Sequence, residues 1–176
     1  MAEIFYRAAE RADAAAIAEL HVASWRDAYR SIMDPRFLSG PVEEDRLSLW
    51  ADRLGNPPPN LIVETARGAN REVIGFVAAY RNADPDWGSL VDNLHVRPDM
   101  RGGKIGEHLL RSMAHTLARQ GADRGLHLWV FEENEAGLRF YRRLGGQVVE
   151  RDTSHTPAAD GKVVLRVHWP SLSALG

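Results

Sequence analysis

The stretch VRPDMRGGKIGEHLL, residues 96–110, joins a strand-like run to a helix-like run through a glycine-rich turn. The preceding run, SLVDNLHV, alternates apolar and polar residues as a strand does, and Pro98 ends it. From Ile105 onward, apolar residues recur at helical spacing, which predicts a helix over 105–120. A strand, a tight turn and a helix in this order place a ligand site at the start of the helix in open α/β sheets.

The turn itself has the features of an anion site. The amides of residues 102 to 107 would point outward at the helix N-terminus, where unpaired N–H groups and the helix dipole favour negative charge. Arg101 and Lys104 add cationic side chains. Three glycines allow a bulky anion such as a pyrophosphate to approach the backbone closely: Gly102, Gly103 and Gly106.

The rest of the chain predicts a mixed sheet covered by helices. A first strand, EIFYRAA, precedes one or two helices over 11–32, a turn-rich segment, MDPRFLSGP, and a short helix over 42–54. Three strand-like runs with turns between them follow and predict an antiparallel meander: LIVETA, EVIGFVAAY and SLVDNLHV. After the helix at 105–120, the predicted order is strand, helix, strand and strand: LHLWV, residues 134–144, QVVERD and VVLRVHW.

Composition limits the classes of function. A chain of 176 residues that is 44% hydrophobic predicts one globular domain over residues 1–176. The 24 acidic residues nearly cancel the 22 basic ones, so nucleic acid is not an expected partner. The chain has no cysteine, its first residues lack the pattern of a signal peptide, and its apolar runs are too short to cross a bilayer. A cytoplasmic protein without a membrane partner is the expectation.

Two familiar nucleotide-binding motifs do not fit the turn. A P-loop requires GxxxxGK followed by Ser or Thr, and a dinucleotide site requires GxGxxG with an acidic residue about twenty positions later. Neither pattern is present in residues 96–110. A glycine-rich turn can also serve only as a tight connection with solvated charges, so the turn alone leaves both interpretations open.

The same stretch resembles the acetyl-coenzyme A loop of the GNAT superfamily of N-acetyltransferases. The pattern of that loop is Arg or Gln, two residues, Gly, one residue, then Gly or Ala. Arg101 and Gly106 fill the outer positions, and Lys104 stands where the middle glycine is commonest. Gly103 lies directly before Lys104, the one position that departs from the pattern.

A second motif downstream is also similar to the family. NEAGLRFYRRLGG, residues 134–146, resembles its signature N-x-x-A/G-x-x-F-Y-x-x-x-G-F, except that Gly146 stands where an aromatic residue is usual. The matching residues are Asn134, Gly137, Phe140, Tyr141 and Gly145. Two motifs in the right order are far more specific than either one. The resemblance runs from about Ile4 to Trp169 and includes SWRDAYRSI.

The resemblance implies a fold and an activity. The fold is a GNAT-like α/β (α+β) structure with a mixed, mostly antiparallel sheet of about seven strands and helices on both faces. The activity is transfer of the acetyl group of acetyl-CoA to a primary amine of a small molecule or peptide by direct attack. Tyr141 is the implied general acid to the CoA thiolate, and the alternative is a tyrosine that packs its ring and hydrogen-bonds a nearby backbone group.

The resemblance also implies the residues that bind the cofactor. They are Leu94, Val96, Arg101, Gly102, Gly103, Lys104, Gly106, Asn134 and Phe140. Two of these residues have second interpretations from their position alone. Asn134 can cap the helix that follows it, and Phe140 shares a helix face with Ala136 and Leu144, which is typical of core packing.

The acceptor side is less specified by the sequence. Asp92, two residues before Leu94 and therefore expected on the same strand face, is the candidate general base, with a surface aspartate as the alternative. Aromatic residues that can line an acceptor pocket are Trp25, Tyr29, Phe37 and Trp87, and His155 lies in a late loop that often faces the acceptor in the family. The seven histidines show no zinc motif, so no metal site is expected.

Two further classes of function are weighed against the enzyme. One is a non-catalytic acyl-CoA sensor or interaction module on the same fold, which the presence of Tyr141 and Asn134 argues against. The other is a nucleotide-binding α/β module. The family also implies a possible homodimer, and nothing in the sequence separates polyamine, antibiotic, amino-acid or peptide acceptors.

Overall fold

A seven-stranded sheet forms the centre of the protein in a computed structural model that describes residues 3–176. The first two residues of the predicted domain lie outside that range. The strands are β1 (Phe5–Ala8), β2 (Leu61–Arg67), β3 (Val73–Asp84), β4 (Gly88–Val96), β5 (Leu126–Phe131), β6 (Gln147–Thr153) and β7 (Val163–Trp169). Their spatial order is β1-β2-β3-β4-β5-β7-β6. The sheet is open, with β1 and β6 at its edges.

Within residues 3–176, five α-helices accompany this sheet. They are α1 (Ala14–Ala28), α2 (Pro35–Ser39), α3 (Val42–Gly55), α4 (Ile105–Arg119) and α5 (Glu135–Arg143). Neighbouring strands are antiparallel except β4 and β5, which are parallel and are joined by α4. The predicted mixed, mostly antiparallel sheet is therefore confirmed. No helix within residues 3–176 is both long enough and apolar enough to cross a bilayer.

The alternating residues of β3 pack against different helices on the two faces. Val77 belongs to a fully buried cluster with Leu109 and Met113 of α4. Its neighbour Phe76 points the other way, into a cluster with Ile17 of α1 and Trp50 of α3. This alternation follows from the two-residue period of a strand. It confirms the prediction of helices on both faces.

The segment predicted only as a turn contains a short helix. Asp34 accepts a hydrogen bond from the backbone N–H of Arg36 at 2.9 Å, and Pro35 occupies the first helical position. Aspartate before proline is a strong combination for starting a helix. The helix α2 then buries Leu38 beside α1 and α3.

The parallel pair β4 and β5 is joined along a short length only. Ser89 pairs with Leu126 and Leu90 pairs with His127, and the two strands then diverge. Just beyond this point β4 carries a bulge, because Val91 and Asn93 face consecutive residues of β3 while Asp92 has no partner. A bulge bends and twists its strand. The result is a gap in the sheet between the second half of β4 and β5.

Candidate active site

A cleft of about 620 Å³ lies between the end of β4, the turn into α4 and the helix α5. Its lining includes Tyr141 and every residue predicted to bind cofactor except Gly103. The structure therefore brings the two sequence motifs, which are far apart along the chain, to the same cleft. Residues 24 and 27–29 at the end of α1 form the opposite wall.

The turn into α4 explains why the family favours glycine where this chain has lysine. Lys104 has φ of 63°, in the left-handed region, and it directly precedes the first residue of α4. That conformation costs a residue with a side chain of the order of 1–2 kcal/mol, and glycine avoids the cost. Gly102 also has a positive φ, and a Cβ added there would meet no atom within 4 Å.

The start of α4 has the chemistry required for a diphosphate. The N–H groups of Ile105, Gly106 and Glu107 lie in the first turn, where a helix provides no carbonyl partner. The bare backbone at Gly102 leaves the approach to these amides open. Glu107 is the one carboxylate of this turn, and hydrogen bonds from Arg143 and Arg111 lower its pKa and balance its charge. A coenzyme diphosphate fits these residues.

Arg101 does not point at the helix start as the sequence predicted. Its guanidinium forms an ion pair with Asp27 of α1 and donates to Ser24 Oγ at 3.3 Å and to the carbonyl oxygen of Val96 at 3.3 Å. The positive charge of Arg101 is therefore matched by an α1 carboxylate on the opposite wall of the cleft.

Asn134 caps α5, as one of its two interpretations predicted. Its Oδ1 accepts a hydrogen bond from the N–H of Gly137 at 3.1 Å. A Cβ on Gly137 would lie 2.6 Å from Asn134 Nδ2, so a larger residue there would require the Asn134 side chain to shift. The Nδ2 group remains a donor for a ligand in the cleft. Phe140 is half-buried, and its Cζ would lie 3.5 Å from a Cβ on Gly106, so it packs against the start of α4.

Two tyrosines reach the cleft from opposite walls, Tyr141 from α5 and Tyr29 from the end of α1. Burial raises the pKa of Tyr141, and the neighbouring Tyr29 raises it further. Burial also raises the pKa of Tyr29 to about 12. Both phenols are therefore neutral hydrogen-bond donors at physiological pH.

A second pocket of about 510 Å³ opens on the face of the sheet covered by α1 and α3. Within residues 3–176 it shares two lining residues with the first cleft, Tyr29 and His95. Three of the predicted acceptor-side residues, Trp25, Tyr29 and His155, line this pocket, and so does Asp92. The gap between β4 and β5 is where the two spaces meet.

The acceptor prediction for Trp87 is wrong. Trp87 lies at the turn between β3 and β4, at the other end of the sheet, where its ring packs 5.0 Å from that of His168 and 5.1 Å from the guanidinium carbon of Arg166. It lines neither pocket. Phe37 instead packs near Trp25, with ring centroids 6.5 Å apart.

Asp92 does not share a strand face with Leu94, so this prediction is also wrong. The bulge at Asp92 breaks the alternation of β4, so Leu94 packs toward α4 while the Asp92 carboxylate meets Arg53 of α3 at 2.9 Å. Arg53 also donates to Asn93 Oδ1 at 3.0 Å. Asp92 therefore lies in the second pocket as one half of an ion pair.

His95 belongs to this region, although no role is predicted for it from its position in the sequence. Its Nδ1 lies 2.8 Å from Ser24 Oγ, and its imidazole stands at the junction of the two pockets. Burial, Arg101 and Arg46 lower the pKa of His95 to about 3, so the ring stays uncharged. The alternation of Leu94, His95 and Val96 could have indicated this position, because it turns the histidine to the face of the sheet away from α4.

A neighbouring histidine, His21, is fully buried on α1 beside His95. Its Nδ1 accepts a hydrogen bond from Trp50 Nε1 at 3.0 Å, and burial lowers its pKa well below the ordinary value. Nε2 of His21 has no hydrogen-bond partner within residues 3–176. Two uncharged imidazoles therefore lie next to each other behind the second pocket.

Because these two histidines have lowered pKa values, we expect the free energy of unfolding to fall in mild acid. Below pH 6.5 the unfolded chain binds protons that the folded His21 and His95 do not, so the free energy of unfolding falls as pH falls from 6.5 toward 3. Above pH 6.5 neither state is protonated and the effect disappears. The slope is at most about 1.4 kcal/mol per pH unit for each histidine.

Urea unfolding at pH 7, 6 and 5 measures this slope, and a His95→Gln variant should show a smaller one. Carboxylates with lowered pKa values, such as Asp13 and Glu107, act in the same direction but only below about pH 4.5. Equal slopes for wild type and variant between pH 6.5 and 5 would contradict the assignment to His95.

Known proteins resemble this chain in sequence and in fold. A sequence profile of the acetyltransferase (GNAT) family matches residues 15–146. An uncharacterised N-acetyltransferase of Methanocaldococcus jannaschii is 33% identical in an alignment of 84 positions that covers 43% of this chain and 35% of that protein. The match thus spans about a third of the length of this relative.

Two solved structures cover nearly the whole chain. The PaiA N-acetyltransferase of Thermoplasma acidophilum, in complex with coenzyme A, has a TM-score of 0.73 at 20% identity and covers 95% of this chain and 99% of its own. A variant of the spermidine N-acetyltransferase of Vibrio cholerae has a TM-score of 0.69 at 16% identity, with 98% and 96% covered. At these identities the likeness establishes the fold. Since the family profile spans both motifs that meet at the cleft, this chain belongs to the acetyltransferase (GNAT) family.

Proposed function

We propose that this protein is an N-acetyltransferase that moves the acetyl group of acetyl-CoA to a primary amine of a small molecule or peptide by direct attack. The observation that carries the proposal is the meeting of two pockets at the gap between β4 and β5, with Tyr29 and His95 lining both. Such an arrangement allows a donor and an acceptor to be held at once, one on each face of the sheet.

The first cleft is the proposed site of the cofactor. Acetyl-CoA, when bound, supplies the acetyl group as an activated thioester. The amides at the start of α4 would hold its diphosphate, and Asn134 Nδ2 would donate to its amide-bearing arm. The side of β4 that faces the gap, including Leu94 and Val96, has no β5 partner, so its backbone groups are available to the same arm.

Tyr141 and Asp92 are the proposed proton-transfer residues. The Tyr141 hydroxyl, neutral because of its raised pKa, holds the proton that the departing sulfur requires. Asp92 is proposed to take up the proton of the acceptor ammonium, directly or through water, since its carboxylate lies on β4 in the second pocket. Its ion pair with Arg53 fixes its orientation.

The experiment that tests the proposal is release of free coenzyme A thiol from acetyl-CoA in the presence of polyamines, aminoglycosides, amino acids and short peptides. Acetyl-CoA binding is measured in parallel by calorimetry. We expect binding, and thiol release that depends on an amine. In the same assay, Asp92→Asn should lower activity most at low pH, and an unchanged pH profile would remove Asp92 from the mechanism.

The second candidate function is an acyl-CoA sensor without catalysis. Tight acetyl-CoA binding with no thiol release for any amine would favour this function. Failure to bind acetyl-CoA at all would contradict both functions.

A further inference from the structure

The helix α3 presents two arginines to the second pocket. Arg46 and Arg53 are seven residues apart, which is about two helical turns, so they share one face of α3. Their side chains are only 16% and 17% exposed. Because a guanidinium remains charged at any physiological pH, both residues bring fixed positive charge to the wall of the pocket.

The charge of Arg53 is matched inside the pocket. Its Nη2 lies 2.9 Å from Asp92 Oδ2, and its Nη1 donates to Asn93 at 3.0 Å. The guanidinium also lies over the ring of Trp50, 5.2 Å from its centroid. Arg53 therefore has partners in two directions and is held in place.

Arg46 is held from outside the pocket instead. Its Nε and Nη2 both donate to Asp45 Oδ2, at 2.9 and 2.5 Å, and Asp45 does not line the pocket. The guanidinium lies 4.5 Å from the ring centroid of Trp25, which fixes its plane. Nη1 makes no hydrogen bond to any of residues 3–176. This part of the guanidinium is free to bind an anion.

The positive charge of Arg46 reaches the junction with the cofactor cleft. Arg46 is one of the two cations, with Arg101, that lower the pKa of His95. An anionic group of a guest would therefore be attracted to the side of the pocket formed by α1 and α3.

The pocket also contains negative charge. Asp92 on β4, paired with Arg53, and Asp152 on β6 both belong to the lining. Asp152 Oδ1 accepts a hydrogen bond from the N–H of Thr153 at 2.8 Å, which orients the group. Trp25, Trp129 and Phe131 add apolar surface to the same pocket.

We propose that the acceptor is a small amine that also carries a carboxylate, an α-amino acid or a close analogue, and that Arg46 binds this carboxylate. The inference rests on the proposed N-acetyltransferase function and names its class of substrate. The carboxylate is held by Arg46, and the amine points toward the gap in the sheet. Charge-assisted hydrogen bonds to a fixed guanidinium give such a site its selectivity.

Pairs of acceptors that differ only by the carboxylate test this inference. The pairs are L-phenylalanine and 2-phenylethylamine, L-methionine and 3-(methylsulfanyl)propylamine, and L-lysine and 1,5-diaminopentane. We expect kcat/KM for the preferred amino acid to exceed that of its partner amine by about 10- to 100-fold. Arg46→Gln should remove this preference, because it should lower kcat/KM for the amino acid much more than for its partner amine. Arg139→Gln, which changes an exposed arginine of α5 outside both pockets, is the control and should preserve the preference.

The effect of Arg46→Gln on the two members of a pair distinguishes binding of the carboxylate from a structural role of Arg46. Binding of the carboxylate predicts a larger loss of kcat/KM for the amino acid than for its partner amine. If Arg46 only supported Trp25, both members of a pair would lose activity equally, and the inference would be overturned. Faster acetylation of spermidine, a partner amine or a peptide N-terminus would also overturn it, while the N-acetyltransferase function would stand. Absence of acetyl-CoA binding would instead count against the proposed function itself.

A second measurement decides the case if no acceptor is acetylated. The N-acetyl derivatives of the three pairs are added to the protein with coenzyme A, and thermal unfolding is followed. We expect at least one carboxylate-bearing derivative to raise Tm in wild type and not in Arg46→Gln. If none of them raises Tm more than its partner derivative, the inference is wrong.

Discussion

Replacement of Tyr141 with phenylalanine is expected to lower kcat by about 10²- to 10⁴-fold, the usual contribution of a positioned proton donor. The ring remains, so its packing near Phe140 and Trp169, at centroid distances of 5.2 and 6.1 Å, should be preserved. Only the hydroxyl is lost from the cleft. Steady-state thiol release measures kcat, and calorimetry should show that acetyl-CoA binding is retained.

The matched control is Tyr6→Phe, which removes a phenolic hydroxyl on β1 outside both pockets and should leave kcat unchanged. Unchanged turnover in Tyr141→Phe would remove Tyr141 from the mechanism. In that case Tyr29, the other neutral phenol in the cleft, becomes the residue to replace. Loss of acetyl-CoA binding in Tyr141→Phe would mean that the hydroxyl holds the cofactor rather than the proton.

The second large effect concerns stability at Gly146, where relatives usually have an aromatic residue. A Cβ at Gly146 would lie 2.5 Å from Val167 Cγ1 and 2.7 Å from Trp169 Cζ2. Trp169 is fully buried, and its Nε1 donates to the carbonyl oxygen of Leu144 at 2.9 Å. The indole of Trp169 therefore fills the space that an aromatic at position 146 would need. Gly146→Phe should lower the free energy of unfolding by about 3 kcal/mol or more.

Trp169→Ala should lower the free energy of unfolding by about 3–5 kcal/mol, because it empties the same space. The double variant Gly146→Phe, Trp169→Ala should lose less than the sum of the two single losses, because the new ring enters the volume left by the indole. Urea unfolding measures all three. Gly40→Ala is the control, since a Cβ there meets no atom within 4 Å. If the double variant loses as much free energy of unfolding as the two single variants together, or more, the new ring does not replace the indole and the prediction is wrong.

Much of the fold was predictable because its signals are local. The strand-like runs of β2, β3 and β4, the helical spacing of α4 and the Asn134 cap of α5 each depend on neighbouring residues, and all are confirmed. The two motifs predicted the residues of the cofactor cleft for the same reason. Self-association, a cytoplasmic location and the roles of the site residues stay predictions.

The features that could not be predicted depend on partners distant in sequence. The position of Asp92 was misjudged because a bulge, which a two-residue period does not reveal, changes which face its side chain takes. Arg101 was expected at the helix start, but Asp27, 74 positions away, holds it on α1. Trp87 is an aromatic residue of the kind that often lines pockets. Only the order of strands in the sheet shows that it packs against His168 of β7 instead.

The gap between β4 and β5 separates two sets of residues that can vary independently. The proposed cofactor side is built from the turn into α4 and from α5, and the proposed acceptor side from α3, β5 and the loop between β6 and β7. We therefore expect substitutions on α3 to change the choice of amine without altering the proposed coenzyme site. Tyr29 and His95 are the exceptions within residues 3–176, because a substitution at either would change both surfaces at once. Redesign of this protein for a new amine should leave these two positions fixed.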